Sequence, residues 1–267
     1  MFEAGTDQAS GLRLDPVAFG PALMPVASPS QPARAYELLC HLALQLKAIG
    51  RLPVILDGNV METTVSRRSV DLSPNGLQHA LLGGGVSGLG HPGDGHEWLV
   101  MPSAMGLRAL QQTALTAGGA MALSRLLAPF APGSLLLLFA PAHELAPLLS
   151  GLGIRVMVPV LPFPQASIDA YGAVKQVHMA GALPVLAPMA SPDADGSLEQ
   201  VMDSVTDCAL RHLGLDMEIW SEPLRAACVQ ECALGALRHD GFHGLSDPRF
   251  AGMGGSSFSG AAPTLWS

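Results

Sequence analysis

Between Leu23 and Asn59 the chain reads LMPVASPSQPARAYELLCHLALQLKAIGRLPVILDGN, and no other stretch narrows the possible folds as much. An apolar run, Leu23–Ala27, leads into a loop. Leu38, Leu39, Leu42, Leu46 and Ile49 then recur at helical spacing, which predicts a helix over Ala35–Ile49 with these side chains on one stripe. Gly50 stands where a C′ glycine ends a helix. A second apolar run, Pro53–Asp57, closes on an acid. Strand, helix and strand in this order open an α/β sheet of parallel strands joined by right-handed crossovers. Where such a unit binds nucleotide, a glycine-rich loop opens the helix and cradles phosphate on backbone N–H groups. Here the loop Ala27–Tyr36 reads ASPSQPARAY, with neither glycine nor lysine.

The same alternation continues downstream. Trp98–Met101, Ser134–Phe139, Ile154–Val160, Leu183–Ala187 and Met217–Trp220 read as strands. Asn75–Leu82, Gly106–Leu127, Ser167–Met179, Leu198–Leu213 and Glu222–Leu237 read as helices. The expected fold is α/β, a mostly parallel sheet sandwiched by helices. A polar, Gly/Pro-punctuated segment over 1–22 precedes a domain over 23–240, and a Gly/Ser/Pro-rich tail covers 241–267. A length of 267 residues suffices for one full core, and 49% hydrophobic with only 13% charged residues suits a sheet buried on both faces.

Charge and composition exclude several functions. A formal charge of -8, with 14 scattered Lys and Arg, argues against nucleic acid as a partner. The apolar region from Ser134 to Phe163 is broken by His143, Glu144, Arg155 and several prolines, short of a membrane helix. No secretory pattern opens the sequence and four cysteines make no disulfide framework, so a cytoplasmic location is expected.

Several segments resemble the MinD/ParA-like ATPases, in particular the FlhG/FleN branch of flagellar number and placement regulators. Asp7-Gln8-Ala9-Ser10-Gly11-Leu12-Arg13 looks like that branch's D-Q-A-x-x-L-R activator motif. Val54–Asn59 resembles the strand that carries its switch aspartate, and Glu97–Leu107 its G-L-R-V-L-P-A-x-x-G-L segment. Pro162–Tyr171 with Val174-Lys175 is close to P-E-P-T-S-I-T-D-A-Y-A-L-I-K. Leu213–Asp216 and Pro223–Ala227 fit the final strand and helix. The resemblance spans almost the whole chain and implies a P-loop NTPase fold.

It also implies where this chain departs. The family's K-G-G-x-G-K-T loop falls on Ser30-Gln31-Pro32-Ala33-Arg34-Ala35-Tyr36. Ser30 replaces the intermolecular lysine, Ala35 the phosphate lysine, and Tyr36 the magnesium-binding threonine. The Walker B acid aligns with Phe139 and the adenine-reading asparagine with Pro188. Asp57 remains, while the second switch acid is Asn59. Pro29 and Pro32 have no N–H to offer a phosphate nest and hold φ near −65°. Tyr36 and Phe139 are expected to fill the vacated pocket. Arg34, the one cation nearby, is expected to face solvent in the first helical turn rather than to hold phosphate.

The resemblance therefore implies a pseudo-ATPase, with no cofactor and no metal, that regulates flagellar biogenesis. Its partner would be the flagellar SRP-type GTPase (FlhF-like), engaged through Asp7, Gln8, Leu12 and Arg13. Membrane association is in doubt, since the tail is too rich in Gly and Pro for an amphipathic helix. Two other readings stay open: an active ATPase with a divergent loop, and a SulA-like cell-division or recombination-associated pseudo-NTPase. Cys228 and Cys232 with His239 and His243 have spacing a zinc site uses, although a packed helix and two surface imidazoles account for them better. Gly83–Gly88 formally matches G-x-G-x-x-G but follows a helix instead of a strand. His91–Glu97 reads as a solvated Gly/Pro loop.

Overall fold

Apolar side chains alternate between the two faces of each strand, and that alternation builds a sheet with a helical layer on either side. The computed structural model describes residues 20–62, 76–86, 98–163, 165–189 and 197–235, all within one unit, Met1–Leu237. In chain order the elements are β1 (Ala22–Ser28), α1 (Pro32–Ala48), β2 (Leu52–Asp57), α2 (Leu77–Leu81), β3 (Leu99–Pro102), α3 (Ala104–Ala117) and α4 (Gly119–Leu127). They continue with β4 (Ser134–Pro141), α5 (Ala142–Leu149), β5 (Arg155–Val160), α6 (Gln165–Met179), β6 (Leu183–Pro188), α7 (Ser197–Leu213), β7 (Glu218–Ile219), α8 (Glu222–Cys232) and β8 (Leu234–Gly235).

The strand order is β3-β2-β4-β1-β5-β6-β7, and every neighbouring pair along it is parallel. The expected α/β architecture is therefore present. From β1 the chain moves towards β2 and β3, returns through β4, and then crosses to β5, β6 and β7. Connections from the centre thus leave in opposite directions, which opens a crevice at the carboxyl ends of the central strands.

Leu135, Leu137 and Phe139 of β4 face α1 and α8, together with Met24, Val26, Ile55, Met157 and Val185. Leu136, Leu138 and Ala140 point the other way, into a larger core with α2 to α7. Helix α1 buries Ala35, Leu38, Leu39, Leu42, Ala43 and Leu46. Each such leucine contributes roughly 1.5–3 kcal/mol.

The structure corrects several expected elements. Helix α1 begins at Pro32, three residues before Ala35, because proline suits a first helical position. Ile49 lies beyond its last turn and is exposed. The single helix expected over Gly106–Leu127 is two, broken at Gly118, whose φ of 88° no right-handed helix accepts. Helix α5, with Pro147 inside it, was not expected in the apolar stretch after β4. The last helix stops at Cys232, and β8 then pairs antiparallel with the start of β1 (Ala22 with Gly235, Leu23 with Leu234). Since β4 flanks the whole of β1, β8 takes the edge that β5 uses further along. No helix among the described residues is long and apolar enough to cross a membrane.

Candidate functional site

At the carboxyl ends of β1 and β4 lies an open cleft of about 460 Å³. Its walls are Ser28, Pro29, Ser30 and Pro32 from the β1–α1 turn, Asn59 after β2, and Pro141, Ala142 and His143 where β4 becomes α5. Ile168, Asp169, Gly172, Ala173 and Gln176 of α6 complete it. This is where the sequence places a phosphate loop, and its polar chemistry is unlike one. Among the described residues no Lys or Arg lines it. Ser30 Oγ donates a hydrogen bond to Asp169 Oδ2, so a carboxylate is tied to the residue aligned with the intermolecular lysine.

Asp57, aligned with the family's switch acid, is engaged within its own turn. Asp57 Oδ1 accepts from both the backbone N–H (3.0 Å) and the Nδ2 (3.1 Å) of Asn59. Asn59 Nδ2 also approaches the Phe139 carbonyl (3.5 Å), and its Oδ1 accepts from Ser28 Oγ (3.0 Å). The turn is drawn tightly over β4: Gly58 N donates to Phe139 O at 2.8 Å, and a Cβ on Gly58 would sit 2.7 Å from that of Ala140. Asp57 is thus the cap of its own turn, with Asn59 bridging β1, β2 and β4.

Beside the cleft, the two positions aligned with the magnesium site carry rings that pack on each other. Tyr36 and Phe139 meet edge to face, with centroids 6.2 Å apart and planes at 72°. Phe139 is 1% exposed and faces the α1 layer. Burial, and secondarily the Asp57 carboxylate and Cys40, push the Tyr36 hydroxyl up to about 12. Neither ring lines the cleft. The expectation that they would fill the pocket is corrected: they pack on each other on the α1 side of the sheet, because β4 alternation turns Phe139 under α1, and the cleft stays open.

The remaining sequence candidates disperse. Arg34 is exposed and lies over the Phe163 ring at 5.3 Å from its centroid. Ala35 is fully buried in α1. Pro188 ends β6, and its carbonyl accepts from Arg225 Nη2 at 2.7 Å. Arg225 is only 4% exposed, and burial lowers its pKa. The D-A-Y-x-x-x-K residues separate: Asp169 meets Ser30, Tyr171 packs edge-on against His212 of α7, and Lys175 lines a neighbouring groove between α5 and α6. Cys228 and Cys232 are half-buried on α8, and among the described residues no three His, Cys, Asp or Glu gather as metal ligands. Asp7, Gln8, Leu12 and Arg13, with His239 and His243, lie outside the described residues, as do Gly88 and His91–Glu97. Gly83–Val86 follow α2, a helix, as the sequence indicated.

Sequence reasoning missed three contributors. His143 and Gln176 line the cleft from α5 and α6; α5 was not anticipated, and nothing local marks Gln176. Glu62 is the third. Its carboxylate accepts from Gln78 N (3.3 Å) at the start of α2, and from Met105 N (2.5 Å) and Gly106 N (2.9 Å) at the start of α3. One side chain thus caps two helices.

No family model and no curated protein matches the chain. Solved structures do resemble it. Apo McdA from Cyanothece is 13% identical, covers 75% of this chain and 85% of its own, and gives a TM-score of 0.48. A plasmid partition protein from Borrelia burgdorferi, bound to AMPPNP, is 10% identical, covers 78% and 90%, and gives 0.46. The cell division protein MinD from Aquifex aeolicus is 11% identical, covers 76% and 86%, and gives 0.37. These neighbours are of the MinD/ParA type that the sequence resembles.

Proposed function

We propose that this chain is a non-catalytic relative of the MinD/ParA-type positioning regulators and acts in flagellar biogenesis. In this reading it binds the flagellar SRP-type GTPase through the Asp7–Arg13 segment, in the cytoplasm, and uses neither nucleotide nor metal. The observation that carries the non-catalytic part is the cleft at the ends of β1 and β4, where Asp169 is tied to Ser30 and, among the described residues, no Lys or Arg lines the walls. A phosphate needs donors and positive charge. Each unit of phosphate charge brought within about 6 Å of Asp169 would instead meet roughly 1–3 kcal/mol of repulsion. Phosphoryl transfer is catalysed by positioning and charge stabilisation. The positions that the resemblance aligns with the magnesium site carry the Tyr36–Phe139 pair, and Asp57 is spent on Asn59.

The flagellar part rests on the D-Q-A-x-x-L-R resemblance of residues 7–13. A peptide of residues 1–20 is expected to raise GTP hydrolysis by the flagellar GTPase, and Gln8→Ala in the full chain to reduce the effect. If the peptide is inert and the full chain is indifferent to that substitution, the flagellar assignment fails.

A further inference from the structure

The cleft is open and carries a carboxylate on its wall, and one of its residues makes no packing demand among the described residues. Gly172 sits in the middle of α6, a helical position where glycine is unfavourable. A Cβ built on it meets nothing within 4 Å, so no packing among the described residues requires the glycine. It lies on the shared margin of the cleft and the α5–α6 groove, and any larger residue there would project into both. The crevice also lies where connections from the central strands diverge, the common place for ligands in open α/β sheets.

The charge balance identifies the kind of ligand. Helices α1 and α5 both start at the cleft and each contributes about half a positive charge. Asp169 at its wall and Asp57 directly behind Asn59 each contribute a full negative one. These groups leave about one net negative charge, with His143 the basic side chain on the lining and Lys175 on the adjoining groove rather than the cleft wall. Arg34 is not on the cleft wall; its guanidinium lies over Phe163. Pro32, Pro141 and Ile168 supply apolar wall, and Ile168 is 65% exposed. Apolar wall beside a carboxylate matches an aliphatic stem with a cationic head.

Resting on the reading that the phosphate cradle is gone, we propose that the cleft binds a guanidinium or primary ammonium group on an aliphatic stem, its head on Asp169. The group belongs either to a free small amine or to an Arg or Lys side chain of a protein partner. Calorimetry on the full chain at pH 8 and low salt, with agmatine, an acetyl-Gly-Arg-Gly amide, its Glu analogue and Mg-ATP as separate titrants, tests this.

Saturable binding of agmatine or the Arg peptide is expected, with none for the Glu peptide. Asp169→Asn should weaken the binding at least about tenfold. Gly172→Leu, which keeps the charge, favours the helix and blocks the space, should abolish it. Agmatine binding more tightly than the peptide identifies a small-molecule source, and the reverse a protein side chain. Failure of both cations to saturate by about 10 mM, or equal binding in either variant, overturns the inference. If Mg-ATP is silent as well, the inference alone falls. If Mg-ATP saturates and competes with the cations, the non-catalytic reading falls with it.

Discussion

Phe139→Asp places an acid where an active relative is expected to carry one, and it should damage the fold without restoring the site. Phe139 is 1% exposed, packs on Tyr36 and faces the α1 layer. Removing the ring forfeits about 3 kcal/mol of transfer free energy and roughly 1 kcal/mol of ring pairing. The cavity left beneath α1 adds about 1 kcal/mol, and an unpaired carboxyl there adds about 1–3 kcal/mol. The total, on the order of 6 kcal/mol, is comparable with the whole stability of an ordinary domain. Phe139→Leu, which keeps most of the apolar volume, should lose only about 1–2 kcal/mol. Urea unfolding followed by fluorescence is the assay, since Trp220 is 2% exposed and lies in the same layer. If Phe139→Asp costs less than about 2 kcal/mol, or gains nucleotide binding, the argument that this position belongs to the core is wrong.

Three further outcomes follow from the geometry. Glu62→Ala should cost about 2–4 kcal/mol, because three backbone donors at two helix starts lose their acceptor; Glu62→Gln should cost less than half of that in the same unfolding assay. Gly172→Ala should raise stability by about 0.5–1 kcal/mol, read as a higher Tm, since its Cβ enters open space on α6. Tyr36 has its pKa raised to about 12 in the folded chain, so its contribution is present below the ordinary tyrosine range and is lost as pH climbs through it towards 12. Discounted for partial exposure, that loss should be about 1 kcal/mol relative to Tyr36→Phe, measured as the difference in urea stability between pH 9 and 11.5 (about 2.5 pH units).

The frame from β1 to β2 was legible because each element is marked locally: apolar runs of strand length, a leucine stripe at helical spacing, and a stop at Gly50. Ala35, Tyr36, Phe139 and Pro188 were singled out in another way, through the resemblance that aligns them with the family's site residues. Elements whose stability comes from elsewhere were not. Strand β8 has two residues, held by pairing to β1 more than two hundred positions earlier. Helix α5 carries Pro147, which reads as a breaker, and is held by Leu145, Leu148 and Leu149 in the larger core. Gly118 looks like one small residue among many in an Ala/Leu-rich run, and only its φ of 88° shows the break. The cleft itself joins Ser30 to Asp169 across 139 positions. Its openness depends on which way the rings of Tyr36 and Phe139 turn, and a replacement pattern alone does not encode that.

The most direct test of the central claim is calorimetric titration of the full chain with ATP and magnesium. The cleft bordered by Ser30 and Asp169 predicts no saturable heat up to about 1 mM nucleotide; saturable binding with a micromolar dissociation constant, about −8 kcal/mol, would contradict the claim.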